Sequence, residues 1–198
     1  SVQEMFDLSG SNYYNPNWGY QTAPDGRQMV RNSRMTDSHQ PLFLLSHESK
    51  VSDDISVHSS VSYQFGKYGS TALDWYNSED PRPDYYRKLP SYIEDPYQQQ
   101  LATDLLMNNE SLRQIQWDRL YDINRNAFEF VAAPNGVSGD TLYGNRSRYI
   151  IEERRYDSQK ANAAVWMNAK VNDFLRIDGG LSYQFYNSRN FKVVDDLL

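Results

Sequence analysis

The sequence predicts an all-β chain with a helical loop insert, built as part of a transmembrane antiparallel β-barrel with about four membrane strands. Three observations predict it: a strand-turn-strand pattern written twice, strict alternation along both copies, and aromatic residues at the strand ends away from the turns. The first copy, Lys50-Val51-Ser52-Asp53 followed by Ile55, Val57, Val61 and Ser62-Tyr63-Gln64-Phe65, recurs as Lys170-Val171-Asn172-Asp173 followed by Leu175, Ile177, Leu181 and Ser182-Tyr183-Gln184-Phe185.

In chain order, residues 9–39 form the first loop. It holds Tyr13-Tyr14-Asn15-Pro16-Asn17-Trp18-Gly19-Tyr20 and the turn Pro24-Asp25-Gly26. The first strand, about 41–51, is the least regular. Phe43, Leu45 and Val51 share one face, while Leu44, His47 and Ser49 blur the alternation. The second, about 55–66, is regular: odd positions from Ile55 to Phe65 are large and apolar except Ser59, and Ser56, His58, Ser60, Ser62 and Gln64 are polar. That is the period-2 signature of a strand with two unlike faces.

Residues 67–160 form a long loop. Asp80-Pro-Arg-Pro-Asp84 and Leu89-Pro90 hold it extended and non-helical, because proline fixes φ and restricts its predecessor. A helix follows, with Asp95 as N-cap, Pro96 at the first position and helix formers from Tyr97 to Met107. A second is predicted from Asn109 to about Ala127, with Leu112, Ile115, Leu120 and Ile123 on one face. Pro134-Asn135-Gly136 and Gly139-Asp140 read as turns, and Tyr149-Ile150-Ile151 as a short strand.

The third strand, about 161–171, alternates Ala161, Ala163, Val165, Met167, Ala169 and Val171 with Asn162, Ala164, Trp166, Asn168 and Lys170; Trp166 is the one residue out of place. The fourth, about 175–186, sets Leu175, Ile177, Leu181, Tyr183 and Phe185 against Arg176, Asp178, Gly180, Ser182 and Gln184. A segment of about 11 residues, at about 3.3 Å each and a tilt near 45°, rises about 25 Å, the height of a barrel's apolar band. Tyr63, Phe65, Tyr183 and Phe185 fall where an aromatic girdle would lie. The short turns Val51–Asp54 and Val171–Phe174 would face the periplasm and the long loops the outside. A soluble sandwich also alternates, so periodicity alone leaves that architecture open.

The chain has 198 residues, 39% hydrophobic, with 16 Tyr, 8 Phe and 4 Trp, a bias that suits wet binding surfaces and membrane interfaces. A net charge of −6 argues against nucleic acid, since no basic stripe exists to meet phosphates. Arg146, Arg148 and Arg154-Arg155 are interleaved with Glu152 and Glu153, as on a solvated face. No apolar run is long enough for a transmembrane helix, and no stretch has the form of a signal peptide. With no cysteine there can be no disulfide or thiolate metal site. An exported chain without a leader is expected to be an internal piece of a longer one.

The segments Tyr14-Asn-Pro-Asn-Trp-Gly-Tyr20, Ser38-His-Gln-Pro41, Val61-Ser-Tyr-Gln-Phe-Gly66, Gly69-Ser-Thr-Ala-Leu-Asp-Trp-Tyr-Asn77 and Asp80-Pro-Arg-Pro-Asp-Tyr-Tyr-Arg87 resemble TonB-dependent outer-membrane receptors of Bacteroidetes-type bacteria. The branch is the one with an N-terminal carboxypeptidase-regulatory-like domain. Gln114-Ile-Gln-Trp-Asp118 and the Val193-Val-Asp-Asp-Leu-Leu198 ending are similar to it as well. The resemblance implies a barrel of about 22 strands, plugged by a separate domain and driven by a periplasmic TonB complex. It implies placement in the cell outer membrane of a Gram-negative bacterium, with outer-membrane lipid around the strands, and leaves open whether a surface lipoprotein caps the barrel. This sequence contains neither plug nor TonB-contacting segment, so on that resemblance it is an internal barrel fragment.

Catalytic chemistry is not expected. His39, His47 and His58 make no constellation, and no phosphate loop, zinc spacing or nucleophile elbow is present. Glu79, Asp80 and Asp84, then Glu94 and Asp95, offer carboxylates for a calcium ion but read more simply as solubilising loop charges. No cofactor or metal is expected. The candidate ligand contacts are loop aromatics with adjacent charges: Trp18, Tyr20, Trp75, Tyr76, Arg82, Asp84 and Tyr85. The competing explanation is that these rings pack the loops. The expected function is part of an energy-coupled outer-membrane importer of a nutrient; the alternative is a soluble extracellular β-sandwich that binds a glycan or protein through aromatic loops.

Overall fold

Wherever the apolar-polar alternation is regular, the backbone is a strand. The structure, a computed structural model, describes residues 2–198. In order the elements are α1 (Val2–Ser9), β1 (Trp18–Thr22), β2 (Gln28–Asn32), β3 (Thr36–His39), β4 (Leu42–Ser52), β5 (Ile55–Trp75), α2 (Pro96–Asn108), α3 (Trp117–Arg125), β6 (Phe128–Ala132), β7 (Thr141–Asn145), β8 (Tyr149–Lys170) and β9 (Arg176–Asp196). The chain is mostly β, with antiparallel sheets, and the described residues form no closed barrel. It divides into two units, the first made of Ser1–Met35, Thr71–Glu152 and Val194–Leu198, the second of Thr36–Ser70 and Glu153–Val193.

The second unit is one sheet, ordered β3-β5-β8-β9, with β4 also paired to β5. The β4–β5 hairpin runs from Leu42 opposite Gln64 to Ser52 opposite Ile55, with a bulge between Lys50 and Ser52. Across to β8, Asn162 Nδ2 donates to Ser62 Oγ (3.0 Å), Asn168 Nδ2 to Ser56 Oγ (3.5 Å) and the Lys170 amide to the Asp54 carbonyl (2.8 Å), so the numbers rise on one strand as they fall on the other. That is an antiparallel register with asparagine and serine on the polar face. The odd-numbered face carries the apolar residues, interrupted where His47 opposes Ser59.

Nothing within this unit covers that apolar face. Leu45 is 73% exposed, Val61 56%, Val165 50% and Leu181 85%. Both hydrophobic cores instead belong to the first unit: one of Ile115, Trp117, Leu120, Tyr149 and Ile151, the other of Met5, Leu8, Leu89 and Leu106.

Several expectations need correction. The strands expected at 55–66, 161–171 and 175–186 extend to Trp75, from Tyr149 and to Asp196 respectively, so the long loop expected at 67–160 shrinks to 76–148. The alternation stopped where the apolar band stops, whereas backbone pairing continues beyond it: β3 pairs residues Thr36–His39 with Ser70–Lys67. Gly66 permits that pairing, since at φ +138° its absent Cβ would lie 1.9 Å from the His39 carbonyl oxygen. The blur in β4 has two causes. Leu44 sits opposite Ser62 on the polar face, and Val51 falls in the bulge.

The helix expected from Asn109 to Ala127 is broken into a 3₁₀ turn at Glu110–Arg113 and α3. Ile115, in the gap, donates its amide to the Trp18 carbonyl (2.9 Å) and is 1% exposed, so a strand-like contact replaces the helical one. The stretch after Pro83 also holds 3₁₀ turns at Tyr86–Lys88 and Pro90–Tyr92, where an extended, non-helical path was expected. Neither loop is plain coil. β1 pairs β2 around Pro24–Gly26, and β6 pairs β7 around the Gly136 and Gly139 turns, where φ is +75° and +92°.

Candidate functional site

The candidate residues all lie in the first unit, and the structure sorts them into separate groups. Trp18 and Tyr20, neighbours on one face of β1, meet edge to face with centroids 5.4 Å apart. Trp18 also lines a cavity of about 190 Å³, together with Tyr13, Tyr14, Glu110, Arg113 and Gln114. The chain builds it by pinning residues 13–18 against 110–114: Tyr14 Oη donates to the Arg113 carbonyl (2.9 Å), and the Ile115 amide donates to Trp18. Gly19 makes the approach feasible, since a Cβ there would fall 2.1 Å from the Ile115 carbonyl oxygen.

Inside the cavity wall Gln114 is 5% exposed, and its side-chain nitrogen has no hydrogen-bond partner among the described residues. An unpaired buried amide costs about 1–3 kcal/mol. Burial, and then the negative charge of Asp84, push the Tyr14 hydroxyl well above its ordinary pKa, while Arg113 opposes them, so it stays a neutral donor. Asp84 itself has a buried carboxylate oxygen without a hydrogen-bond partner among the described residues. Arg113 is committed to the end of α2, donating to the carbonyls of Leu106 and Met107.

Trp75 and Arg82 form a second group. The guanidinium lies 5.3 Å from the Trp75 ring centroid and forks onto Asp80, Nε to Oδ1 at 2.9 Å and Nη2 to Oδ2 at 2.5 Å. The Asp80 hydrogen bond raises the Arg82 pKa against the opposing effect of burial. Burial lowers that of Lys88, whose Nζ donates to the Asp80 carbonyl at 2.6 Å. Trp75 packs against the core around Trp117. This group is therefore closed on itself.

The remaining aromatic candidates engage other partners. Tyr76 is 53% exposed beneath Arg146, whose guanidinium carbon stands 4.0 Å from the ring centroid. Tyr85 stacks edge to face on Tyr86 at 4.8 Å, and Tyr86 on Tyr92 at 5.3 Å. Tyr13, Tyr14, Glu110, Arg113 and Gln114 were not among the sequence candidates, although Tyr13-Tyr14 and Gln114 lay in segments already singled out. Spacing gives no sign that two segments about 100 residues apart share a cavity.

The carboxylates considered for calcium have other tasks: Asp80 holds Arg82, and Asp95 caps α2 by accepting from the Gln98 amide at 2.8 Å. Among the described residues no group of three or more His, Cys, Asp or Glu is placed to hold a metal. The cavity is walled by ring faces, the Gln114 side chain and a Tyr14 hydroxyl whose proton is already donated to the Arg113 carbonyl. No protein-family model matches the chain, and no curated protein matches it.

Proposed function

We propose that this chain supplies wall strands and ligand-facing loops to an energy-coupled, TonB-dependent outer-membrane importer of a nutrient. The observation that carries the reading is the second unit, a single layer of sheet with one apolar face that nothing in the unit covers. In water such a face is an aggregation hazard; against lipid it needs no second layer. The soluble sandwich would need a second sheet packed about 10 Å away on that same face.

Two further features support it. Phe43, Tyr63 and Phe65 stack along the apolar face at the end away from the short turn, with centroids 5.5 and 6.2 Å apart, as an interfacial girdle would. The opposite face, with Ser56, Ser62, His58, Asn162 and Asn168, suits a watery lumen. Bilayer hydrocarbon tolerates no open sheet edge, so on this reading further strands flank β4 and β9. Energy comes through a plug and a periplasmic TonB complex outside this sequence, and the first unit contributes the ligand contacts.

Cysteines at Val57, Val61, Ile177 and Leu181 should react with lipid-soluble probes, and those at Ser60, Ser62 and Ser182 with water-soluble maleimides. Uniform aqueous labelling would overturn the barrel.

A further inference from the structure

The apolar face does not end at its aromatic rim. Following the odd positions past Phe65 on β5 gives Lys67; past Phe185 on β9, Asn187 and Arg189; and before Ala161 on β8, Gln159, Asp157 and Arg155. These side chains share the face that carries Val61, Val165 and Leu181, one step beyond the stacked Tyr63 and Phe65. They enclose an open hollow of about 520 Å³, with Phe65 in its lining.

Its charge is lopsided. Lys67, Arg155 and Arg189 line it against the single carboxylate of Asp157. Asp37, outside the lining, pairs with Lys67. Arg155 grips Asp157 through Nη2 at 3.1 and 3.2 Å and rests on Phe191, its guanidinium carbon 5.4 Å from the ring centroid. That leaves its Nε buried and without a partner among the described residues. Arg189 is exposed and makes no ion pair among the described residues.

We propose that this hollow binds the phosphate of a membrane lipid whose headgroup carries net negative charge. The inference rests on the barrel reading, which turns this face toward lipid and sets the hollow at headgroup depth. A soluble anion would use the cations alone, whereas an amphiphile also lays its chains along Phe65 and the apolar strands below. Arginine forks match phosphate oxygens, and a cation at a membrane surface attracts anionic lipid by about 1 kcal/mol.

The test is native mass spectrometry of the full-length protein in non-ionic detergent, titrated with phosphatidic acid, phosphatidylcholine or inorganic phosphate. Phosphatidic acid should bind at least tenfold more tightly than phosphatidylcholine. Arg189→Ala, an exposed change with little folding risk, should weaken it about tenfold. Asp157→Asn should tighten it by removing the competing carboxylate. Equal retention of the two lipids, no effect of Arg189→Ala, or equally tight inorganic phosphate would overturn the proposal. The cysteine pattern, measured on the same preparation, separates the two failures. Alternating labels with no lipid preference sink only the phosphate site, while uniform aqueous labels sink the barrel beneath it.

Discussion

Arg31 shows how a single side chain organises the first unit. It donates to Gln21 (3.0 Å), to Tyr121 Oη (2.6 Å) and to Asp196 (2.5 Å), and lies 4.7 Å from the centroid of the Trp117 ring. Trp117 answers by donating Nε1 to the Arg31 carbonyl at 3.2 Å. Lysine cannot reproduce both the fork and the stack, so Arg31→Lys should lower stability by about 1–3 kcal/mol, read as the denaturant midpoint of tryptophan emission. The same contact carries a pH signature. Burial opposes ionisation of Asp196, but the hydrogen bonds from Arg31 and the Leu198 and Leu197 amides outweigh it and hold the pKa below its ordinary 3.8. A depressed carboxylate contributes stability that is complete above its unfolded pKa and lost as pH falls through the folded one. The parent's midpoint should therefore drop below about pH 4, and Asp196→Asn should be weaker at neutral pH with a shallower acid drop. Parallel acid profiles would exclude Asp196 as the source.

At the level of elements, what was legible in the sequence was what is decided locally. Asp95 caps α2 from within its own turn, so the signal Asp-Pro sufficed, and Asp95→Ala should cost about 1 kcal/mol by thermal unfolding. Trp166 shows the opposite case. It breaks the alternation of β8, and the reason lies on another strand: its ring covers Gly180, where a Cβ would come within 2.4 Å of Cε3. Gly180→Val should evict the ring, break its Nε1 bond to Asn168 (3.1 Å) and cost about 1–3 kcal/mol, with a shift in tryptophan emission. The extensions of β5, β8 and β9 escaped notice because polar and charged residues such as Lys67, Arg155, Asp157 and Arg189 interrupt the alternation there, before Leu73 and Trp75 on β5 and Tyr149 and Ile151 on β8 join the core around Trp117. The break before α3 was hidden likewise: Leu112, Ile115, Leu120 and Ile123 fit one helical face, yet Ile115 is held by the Trp18 carbonyl. For the candidate site, the aromatic bias was legible and the partnership of residues 13–18 with 110–114 was not. Only a tertiary contact across that span defines the cavity.

For the whole molecule, the position of the tryptophans provides a test independent of any cysteine. The sequence holds 4 of them, and none is on the apolar face: Trp18, Trp75 and Trp117 belong to the first unit, and Trp166 stands on the polar face of β8. On the proposed barrel reading, interfacial anchoring of the second unit would fall instead to Phe43, Tyr63, Phe65, Tyr183 and Phe185, which are between 38% and 68% exposed. The parent protein's emission, recorded in reconstituted bilayers with and without bromine atoms at mid-chain, is the baseline against which added tryptophans are read. Val165→Trp and Leu181→Trp, set at 50% and 85% exposed positions on that face, should add a component that brominated lipid quenches strongly. Ser62→Trp, on the polar face, should add one that aqueous iodide quenches instead. A soluble sandwich that buries this face predicts protection from both quenchers at Val165 and Leu181. Quenching by iodide there would mean that the face stays in water and would overturn the barrel reading.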